Sequence, residues 1–297
     1  MKQKTERRNF IKSSLLALSG AIFYKSKLAA NANYDVDSST GALLHTPNDT
    51  LNVIHNLHTT HGNFSHKEIP EANLEQIRLA SVHGANSSNM QTYSIILVKD
   101  RQKIKDITTY EGSALFLFCV DFNRLIDCAK QLGHAYYPDN MTNFVTASIN
   151  TTIAAQTAVI AAQSLGLDTL LTNGIHRGDM QRVWDILELP QEKCFPLIAL
   201  VLGYATEEPL YHAGRLDGVG IFHEEKYHKL TTEEINEIIA TYDNKEKHLG
   251  LYENWDQDGH AHYLDWLHSY WLGRASEPTK SETAVFSFIK RSGFVES

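Results

Sequence analysis

The chain of 297 residues is short of cysteine and lacks the signature motifs of several common enzyme classes. Its three cysteines are Cys119, Cys128 and Cys194, and two of them stand in apolar runs. An odd number placed in this way does not predict a disulfide framework. The chain has no Gly-x-Ser-x-Gly elbow, which argues against Ser-His-Asp hydrolase chemistry. It also has neither a Gly-x-Gly-x-x-Gly motif nor a phosphate-binding Gly-Lys-Ser/Thr loop.

A long apolar run is also missing at the N-terminus, where a short one follows a pair of arginines. The run from Leu15 to Phe23 is about half of the roughly 20 residues that a membrane span needs, so a transmembrane helix is not predicted. Residues 7–12, Arg-Arg-Asn-Phe-Ile-Lys, resemble a twin-arginine export signal. Small residues at 30–32 predict cleavage after Ala32. We therefore expect a periplasmic or otherwise exported protein.

Basic residues are in the minority, and the N-terminal segment holds a large share of them. The chain has 27 Lys and Arg against 35 Asp and Glu, a formal net charge of −8. Residues 1–32 contain seven basic residues and one acidic residue, so their removal takes the net charge to −14. A body this acidic argues against nucleic acid or an anionic membrane as the partner.

The rest of the chain divides into a linker, a main domain and an extension. Residues 33–50 are polar and aperiodic, which is typical of a flexible linker. We expect the main domain to cover residues 51–230 and a helical C-terminal extension to cover residues 231–297. The mature length suits one large domain with extensions.

Apolar runs separated by helical patterns predict a layered fold. Continuous apolar runs, which are typical of strands buried on both faces, occur at residues 94–98, 114–120, 169–171 and 196–203. Helical patterns cover residues 70–83, 144–165 and 179–189. This alternation indicates an α+β or α/β sandwich around one sheet.

The longest predicted helix, residues 144–165, mixes apolar residues with threonine and glutamine. Its polar residues argue against a membrane span, and its small side chains suit close packing in a core or against a second subunit. Gly166 is placed as a helix C-cap.

The C-terminal part has a different character. It begins with a charged helix from Thr231 and continues into an aromatic and acidic loop that contains His260 and His262. Imidazole and carboxylate groups bind divalent ions, but the spacing matches no closed metal site, so a solvated acidic loop is the preferred interpretation and no metal ligand is predicted. The apolar tail at residues 284–289 must be buried, on the domain or along a partner subunit.

Three segments, in this order, resemble the flavin-dependent nitroreductase family, especially its larger branch of nitro and flavin reductases. Residues 58–70 read His-Thr-Thr-His-Gly-Asn-Phe-Ser-His-Lys-Glu-Ile-Pro, and residues 84–94 read Gly-Ala-Asn-Ser-Ser-Asn-Met-Gln-Thr-Tyr-Ser. The third segment runs from Gln163 to Tyr204, and a late basic motif begins at Arg215. The resemblance implies an α-β-α sandwich of the α+β class, with a central, mostly antiparallel sheet flanked by helices. It also implies a domain-intertwined homodimer with residues 144–165 near its centre.

The same resemblance implies a flavin site and assigns its residues. The opening loop and Arg215 would hold the FMN phosphate, the second loop would meet the flavin ring, and the third would bring backbone amides near the flavin N5 and O4. The implied FMN-binding residues are His58, Thr59, Thr60, Gly62, Asn86, Ser87, Ser88, Asn89, Gln91, Thr172, Asn173, Gly174 and Arg215.

Physical chemistry supports these residue types. A dianionic phosphate needs Arg or Lys together with hydroxyl and backbone donors, and Arg215, His58 and Thr60 provide some of them. Amides such as Asn89 and Gln91 read the polar edges of an isoalloxazine ring through both donor and acceptor atoms.

The phosphate site departs from the family pattern. Thr59 and Gly62 stand where the family usually has arginines, and Ala213 occupies another usually basic position. Phosphate binding therefore depends on fewer cations, or on different groups.

The leading hypothesis is an FMN-dependent oxidoreductase that passes two electrons to nitroaromatic, quinone or related acceptors, with no catalytic side chain required. NAD(P)H is the donor that the resemblance implies, but residues 243–253 offset two lysines with acids, and a quinol or redox protein is an alternative donor outside the cytoplasm. Two other hypotheses are a non-catalytic flavin- or ligand-binding protein and a metal-dependent exported enzyme using His260 and His262.

Overall fold

The computed structural model describes residues 48–207, 211–272 and 280–295. The predicted export signal and cleavage site, and all but the last three residues of the predicted linker, lie outside the described residues. Residues 50–297 group into one structural unit, to which the following description applies. The boundary at residue 230 stays a prediction.

Four antiparallel strands form the central sheet in the order β1-β2-β4-β3. Their bounds are β1 Tyr93–Val98, β2 Ala114–Asp121, β3 Asp168–Thr172 and β4 Cys194–Gly203. The central strand β2 is almost completely buried, because helices cover both faces of the sheet. All four predicted strands are present, and the predicted α+β sandwich with an antiparallel sheet is confirmed.

Helices lie on both faces of the sheet. The α-helices of the described residues are α1 Asp49–His55, α2 Glu71–Ser81, α3 Arg101–Thr108, α4 Asn123–Gln131, α5 Met141–Ser164, α6 Gln181–Leu187, α7 Thr232–Asp243, α8 Tyr263–Trp266 and α9 Lys280–Arg291. Apolar residues of α2 and α5, including Ile77 and Ala158, pack against Phe116 and Leu200 on one face. On the other face, a second cluster includes Ile104 of α3, Trp184 of α6 and Phe288 of α9.

The helix α5 begins earlier than the sequence pattern predicts. Asn140 caps its N-terminus by accepting a hydrogen bond from the Asn143 backbone N–H at 2.9 Å, so the helix starts at Met141 rather than near Phe144. At the other end, Gly166 adopts a left-handed φ of +74°, in agreement with its predicted role as a cap.

Small residues let α5 approach its neighbours closely. A Cβ atom added to Gly84 would lie 3.0 Å from the Ile153 and Thr157 side chains of α5. Among the described helices, α5 also has the length and apolar composition of a membrane span. Its buried face, which includes Ala154 and Ala158, packs instead in the core of the fold.

The helix predicted over residues 179–189 is shorter in the structure. The Asp179 side chain accepts a hydrogen bond from the Gln181 backbone N–H at 3.0 Å, so Asp179 precedes the helix α6 as a turn residue. Glu188 has a left-handed φ of +51° and ends the helix.

The cysteines are free thiols, and two of them belong to the core. The side-chain hydrogen bond with Cys194 and complete burial both raise the pKa of Cys119. Cys119 therefore stays a neutral core residue, as expected of a buried thiol in apolar surroundings.

The C-terminal tail packs on its own chain. Phe294 is fully buried, with its ring centroid 5.9 Å from that of Phe122 and 5.1 Å from that of Phe144. The Lys193 backbone N–H donates to the Ser292 carbonyl oxygen at 2.9 Å, and its Nζ donates to the Gly293 carbonyl oxygen at 2.7 Å. These contacts attach the tail to the start of β4.

Replacing Phe294 by alanine tests this attachment. Because the ring is fully buried, we expect Phe294→Ala to lower the free energy of unfolding by about 3 kcal/mol, measured by urea denaturation. Phe286→Ala in α9 is the matched control, since that ring is 54% exposed and its loss should cost about 0.5 kcal/mol or less. Equal losses in the two variants would contradict the packing described here.

Candidate functional site

A cavity of about 280 Å³ brings together residues from distant parts of the sequence. Its walls come from the opening loop, from α5, from β3 and from the segment around residue 215. The lining residues are Leu57, His58, Thr59, Gln156, Val159, Thr169, Leu171 and Arg215. The structure thus places His58, Thr59 and Arg215, all predicted from the sequence to bind phosphate, around one space.

The opening loop is fixed to β3 and α5 by hydrogen bonds. The Thr60 backbone N–H donates to the Thr169 carbonyl oxygen at 2.9 Å. The side-chain amide of Gln163 in α5 donates to the His58 carbonyl oxygen at 2.7 Å and to the Thr169 hydroxyl at 2.9 Å. Gly62 turns the loop with a left-handed φ of +79°, which favours glycine.

An aspartate that the sequence analysis missed lies beside this loop. The Oδ1 atom of Asp168 is 3.3 Å from the His58 Nε2 atom and accepts a 3.5 Å hydrogen bond from the Thr60 hydroxyl. Its Oδ2 atom accepts a hydrogen bond from the Ala205 backbone N–H at 2.7 Å. The His58 ring stacks on the His212 ring with centroids 4.3 Å apart. Nothing in the sequence pattern singles out Asp168 or His212, because only the fold brings them to His58.

Arg215 is exposed and bound to its own loop. Its guanidinium donates to the Ala213 and Gly214 carbonyl oxygens, each at 2.8 Å. Gly214 also donates its backbone N–H to the His248 carbonyl oxygen at 3.0 Å, and a Cβ atom at Gly214 would collide with the Lys247 carbonyl oxygen. The position of Arg215 therefore depends on a glycine fitted against the turn at residues 245–248.

The second predicted loop has an unusual backbone. A 3-10 turn covers Ser87–Asn89, and Ser88, Asn89 and Gln91 have φ angles of +51°, +54° and +50°. Left-handed backbone is uncommon for residues other than glycine and persists where the surroundings hold it in place. The side chains of Ser87, Ser88 and Asn89 are exposed, and those of Asn86 and Gln91 are half-buried. The loop thus has a backbone conformation that is typical of glycine, but it carries polar side chains that glycine lacks.

Two residues that the sequence analysis missed hold this loop. Asn150 of α5 is buried, and its Oδ1 atom accepts from the Ser87 backbone N–H at 3.0 Å while its Nδ2 atom donates to the Thr92 hydroxyl at 3.0 Å. Arg124 of α4 donates to the carbonyl oxygens of Met90 and Gln91. Within the loop, the Asn86 side chain accepts from the Gln91 backbone N–H at 3.1 Å.

The third predicted segment follows the edge strand β3. The Gly174 backbone N–H donates to the Thr172 hydroxyl at 2.9 Å, so this amide already has an acceptor within the segment. Gly174 is buried and Asn173 is exposed. Burial lowers the pKa of the following His176, whose Nε2 atom lies 2.9 Å from the Pro196 carbonyl oxygen. A neutral ring donates there and fixes the turn against β4.

One chain does not bring the second loop into the cavity of the opening loop. Both are attached to α5, one at Asn150 and the other at Gln163. These 13 residues of helix correspond to about 20 Å at 1.5 Å per residue. The two predicted loops therefore form two separate polar regions, one near the middle of α5 and one at its C-terminal end.

An exposed stripe of α5 connects these two regions. It begins with Met141, Val145 and Ile149, which are 44%, 49% and 55% exposed, and continues through Thr152 to Gln156. Residues three and four apart lie on one helix face. Gln156, at the end of this stripe, also lines the cavity with Arg215, so the stripe leads from the apolar residues through Thr152 to the cavity.

The acidic loop near residue 260 lies beside a small aromatic cluster. His260 pairs with Asp265 at 3.2 Å, and His262 pairs separately with Asp243 at 2.6 Å. Trp255, Tyr263 and Trp266 pack together in this separate cluster. In the described ranges, no three His, Cys, Asp or Glu side chains are grouped to hold a metal ion.

Comparisons with known proteins relate the chain to one family. The model of the "Nitroreductase family" matches residues 58–204. An FMN reductase [NAD(P)H] of Bacillus subtilis (strain 168) is 28% identical over 224 residues, which cover 69% of this chain and 88% of that protein. An NADPH-dependent oxidoreductase of Staphylococcus saprophyticus is 30% identical over 190 residues, 59% of this chain and 73% of that protein.

Solved structures share the fold over most of the chain. NfrA2 of B. megaterium superposes with a TM-score of 0.71 at 22% identity, covering 84% of this chain and all of that one. The oxidoreductase YcnD from Bacillus subtilis gives a TM-score of 0.70 at 23% identity and the same coverage. With the sequence matches and the loops placed as described, the chain belongs to the nitroreductase family.

Proposed function

We propose that this protein is an FMN-dependent oxidoreductase, which accepts electrons from NAD(P)H and passes two of them to a nitroaromatic, quinone or related small molecule. The observation that carries the proposal is that α5 holds an amide-rich loop near its middle and the opening loop, with its cavity, near its C-terminal end. Relatives named for FMN and NAD(P)H support the cofactor and the donor.

The cavity residues fit the phosphate end of FMN. Arg215 provides a permanent cation, Thr59 a hydroxyl group and His58 an imidazole around one space of about 280 Å³. A charge-assisted hydrogen bond from a guanidinium is the strong contact that a phosphate makes. To bind it, the Arg215 guanidinium would exchange the carbonyl oxygens of Ala213 and Gly214 for phosphate oxygens.

The second loop fits the polar edges of the flavin ring. Asn89 and Gln91 carry both donors and acceptors, as ring carbonyl and N–H groups require. Asn150 and Arg124 hold the left-handed backbone of this loop, so its side chains are oriented before a ligand arrives. FMN, when bound, supplies the electron-transfer chemistry, and the protein positions the ring and its substrates.

A second chain would bring both regions to one flavin. The regions lie about 20 Å apart along α5 of a single chain. If α5 of one subunit packs against α5 of its partner in the opposite direction, the second loop of each chain approaches the opening loop of the other. The apolar stripe of Met141, Val145 and Ile149 provides the contact surface, and nitroreductase family proteins are typically homodimers. We therefore propose a homodimer with flavin sites between the subunits.

A charge placed in the stripe tests the dimer. Ile149→Asp should dissociate the dimer, because a carboxylate is costly to bury in an apolar interface, and should weaken FMN binding at least tenfold as the shared site is lost. Sedimentation velocity and a flavin titration measure the two effects. Leu132→Asp is the matched control, since Leu132 is 72% exposed after α4. A dimeric Ile149→Asp protein that binds FMN normally would exclude this interface.

The charges of the segment at residues 243–253 do not distinguish NADH from NADPH as the electron donor. In the segment at residues 243–253, Lys245 pairs with Asp256 at 2.8 Å, which neutralises one of the two lysines that a 2′-phosphate would use. We propose NAD(P)H as the donor, and a quinol or a redox protein as the alternative in an exported protein.

The visible spectrum of the purified protein under anaerobic conditions tests the function. We expect a flavin spectrum that NADH or NADPH bleaches and that a nitro compound restores. Bleaching by dithionite alone would point to a quinol or redox-protein donor. Bound flavin that dithionite bleaches but no acceptor reoxidises would favour the non-catalytic binding protein. Absence of flavin, even after reconstitution with FMN, would refute the proposal.

We also propose that the protein is exported in folded form, on the basis of Arg7, Arg8 and the short apolar run that follows. Replacing both arginines by lysine preserves the charge, so a signal that needs only positive charge would still direct export. We expect Arg7→Lys with Arg8→Lys to leave the protein in the cytoplasm at its full length, as detected by cell fractionation. Lys2→Arg with Lys4→Arg is the control and should be exported. Normal export of the double-lysine variant would exclude a twin-arginine signal.

A further inference from the structure

The phosphate end of the proposed flavin site has few permanent cations. Two cavities adjoin His58, the one that contains Arg215 and a second of about 420 Å³ that contains Asp168 and His212. Among the described residues that line them, Arg215 is the only arginine or lysine. Residues that gain or lose charge with pH therefore make up a large part of the local electrostatics.

Both ring nitrogens of His58 face acceptors. The Nδ1 atom lies 3.0 Å from the Asn56 carbonyl oxygen, and the Nε2 atom lies 3.3 Å from the Asp168 carboxylate. A protonated imidazole donates at both nitrogens, whereas a neutral one donates at only one. The charged ring is thus the form that satisfies both contacts.

The carboxylate of Asp168 makes the charge on His58 important for the binding of an anionic ligand. Its side chain is only 19% exposed, and it cannot turn away without losing the hydrogen bond from the Ala205 backbone N–H. A carboxylate beside a phosphate site repels the ligand unless a cation neutralises it. Protonated His58 neutralises Asp168, and neutral His58 leaves the negative charge uncompensated.

His212 adds a second imidazole on the other side of His58. The two rings stack with an interplanar angle of 17°, and His212 is exposed. The groups packed around His58 come from α1, α5, β3 and the segment at residues 212–215. Among the described lining residues, the titratable or charged ones that face it are Asp168, His212 and Arg215.

We infer that His58, Asp168 and His212 form a pH-dependent charged group beside the phosphate site, in the place of the missing arginines, so that the protein binds the phosphate of FMN more tightly as the pH falls. The inference rests on the proposed function. Its sign follows from the charges: protonation adds positive charge next to a dianion, and deprotonation as the pH rises removes it. The flavin ring itself carries no phosphate, so its contacts do not share this dependence.

Flavin titrations with FMN and with riboflavin, which lacks the phosphate, test the inference. From about pH 6.5 to about pH 8.5 the phosphate is already largely dianionic, since its second pKa is about 6, so its own titration contributes little. We expect the Kd of FMN to rise about tenfold over this range, because one positive charge near the dianion is lost. The Kd of riboflavin should stay constant.

Variants assign the effect to residues. His58→Gln and His212→Gln should flatten the pH dependence of FMN binding and lower the affinity at about pH 6.5 to the level seen at high pH. His134→Gln, at an exposed position after α4, is the control and should retain the wild-type profile. Thermal melting of each variant checks that it is folded.

The outcomes separate this inference from the proposed function. FMN binding with the same affinity at every pH would overturn the inference and leave the flavin enzyme intact. A pH dependence that persists in both His58→Gln and His212→Gln, or that riboflavin shares, would overturn it too. If neither flavin binds at any pH, the proposed function fails and the inference fails with it.

Discussion

The close packing of α5 on the sheet is the constraint on which the rest of the structure depends. Ala154, Ala158 and Ala162 are small enough to let the helix lie directly against β2 and β4. Held at that distance, its polar residues reach the loops on either side: Asn150 bonds to one loop and Gln163 to the other. A larger side chain at any of these alanines would move both loops together, because both are attached to the same helix.

One face of α5 stabilises the core, and the opposite face is the proposed subunit interface. The buried face contributes the alanines, and the exposed face carries Val145 and Ile149, which one chain alone leaves open to water. Single exposed apolar residues are ordinary, but several on one helix face form the contact surface of the proposed dimer. The core of the subunit and the proposed flavin sites thus share one structural element. Substitutions on either face of α5 are therefore expected to affect ligand binding.

The sequence predicts those elements of the fold in which all residues are buried to a similar degree. Strand β2 is buried on both faces, so its uninterrupted apolar run is diagnostic. The sequence analysis does not predict helices α3 and α4. Asp100, which caps α3 by accepting a hydrogen bond from the Lys103 backbone N–H, is a usable signal for α3. Asp168, Arg124 and Asn150 could not be assigned, because their roles come from contacts with loops far away in the chain.

Gly214 joins the segment of Arg215 to the turn at residues 245–248. Because no side chain fits between it and the Lys247 carbonyl oxygen, Arg215 keeps its place only while the turn at residues 245–248 keeps its own. That turn is itself held by His248, which stacks on Tyr211 and pairs with Glu253 at 2.6 Å. A molecule that shifts the turn therefore also shifts the guanidinium. By thermodynamic reciprocity, an anion held by Arg215 then alters the affinity for that molecule by the same factor.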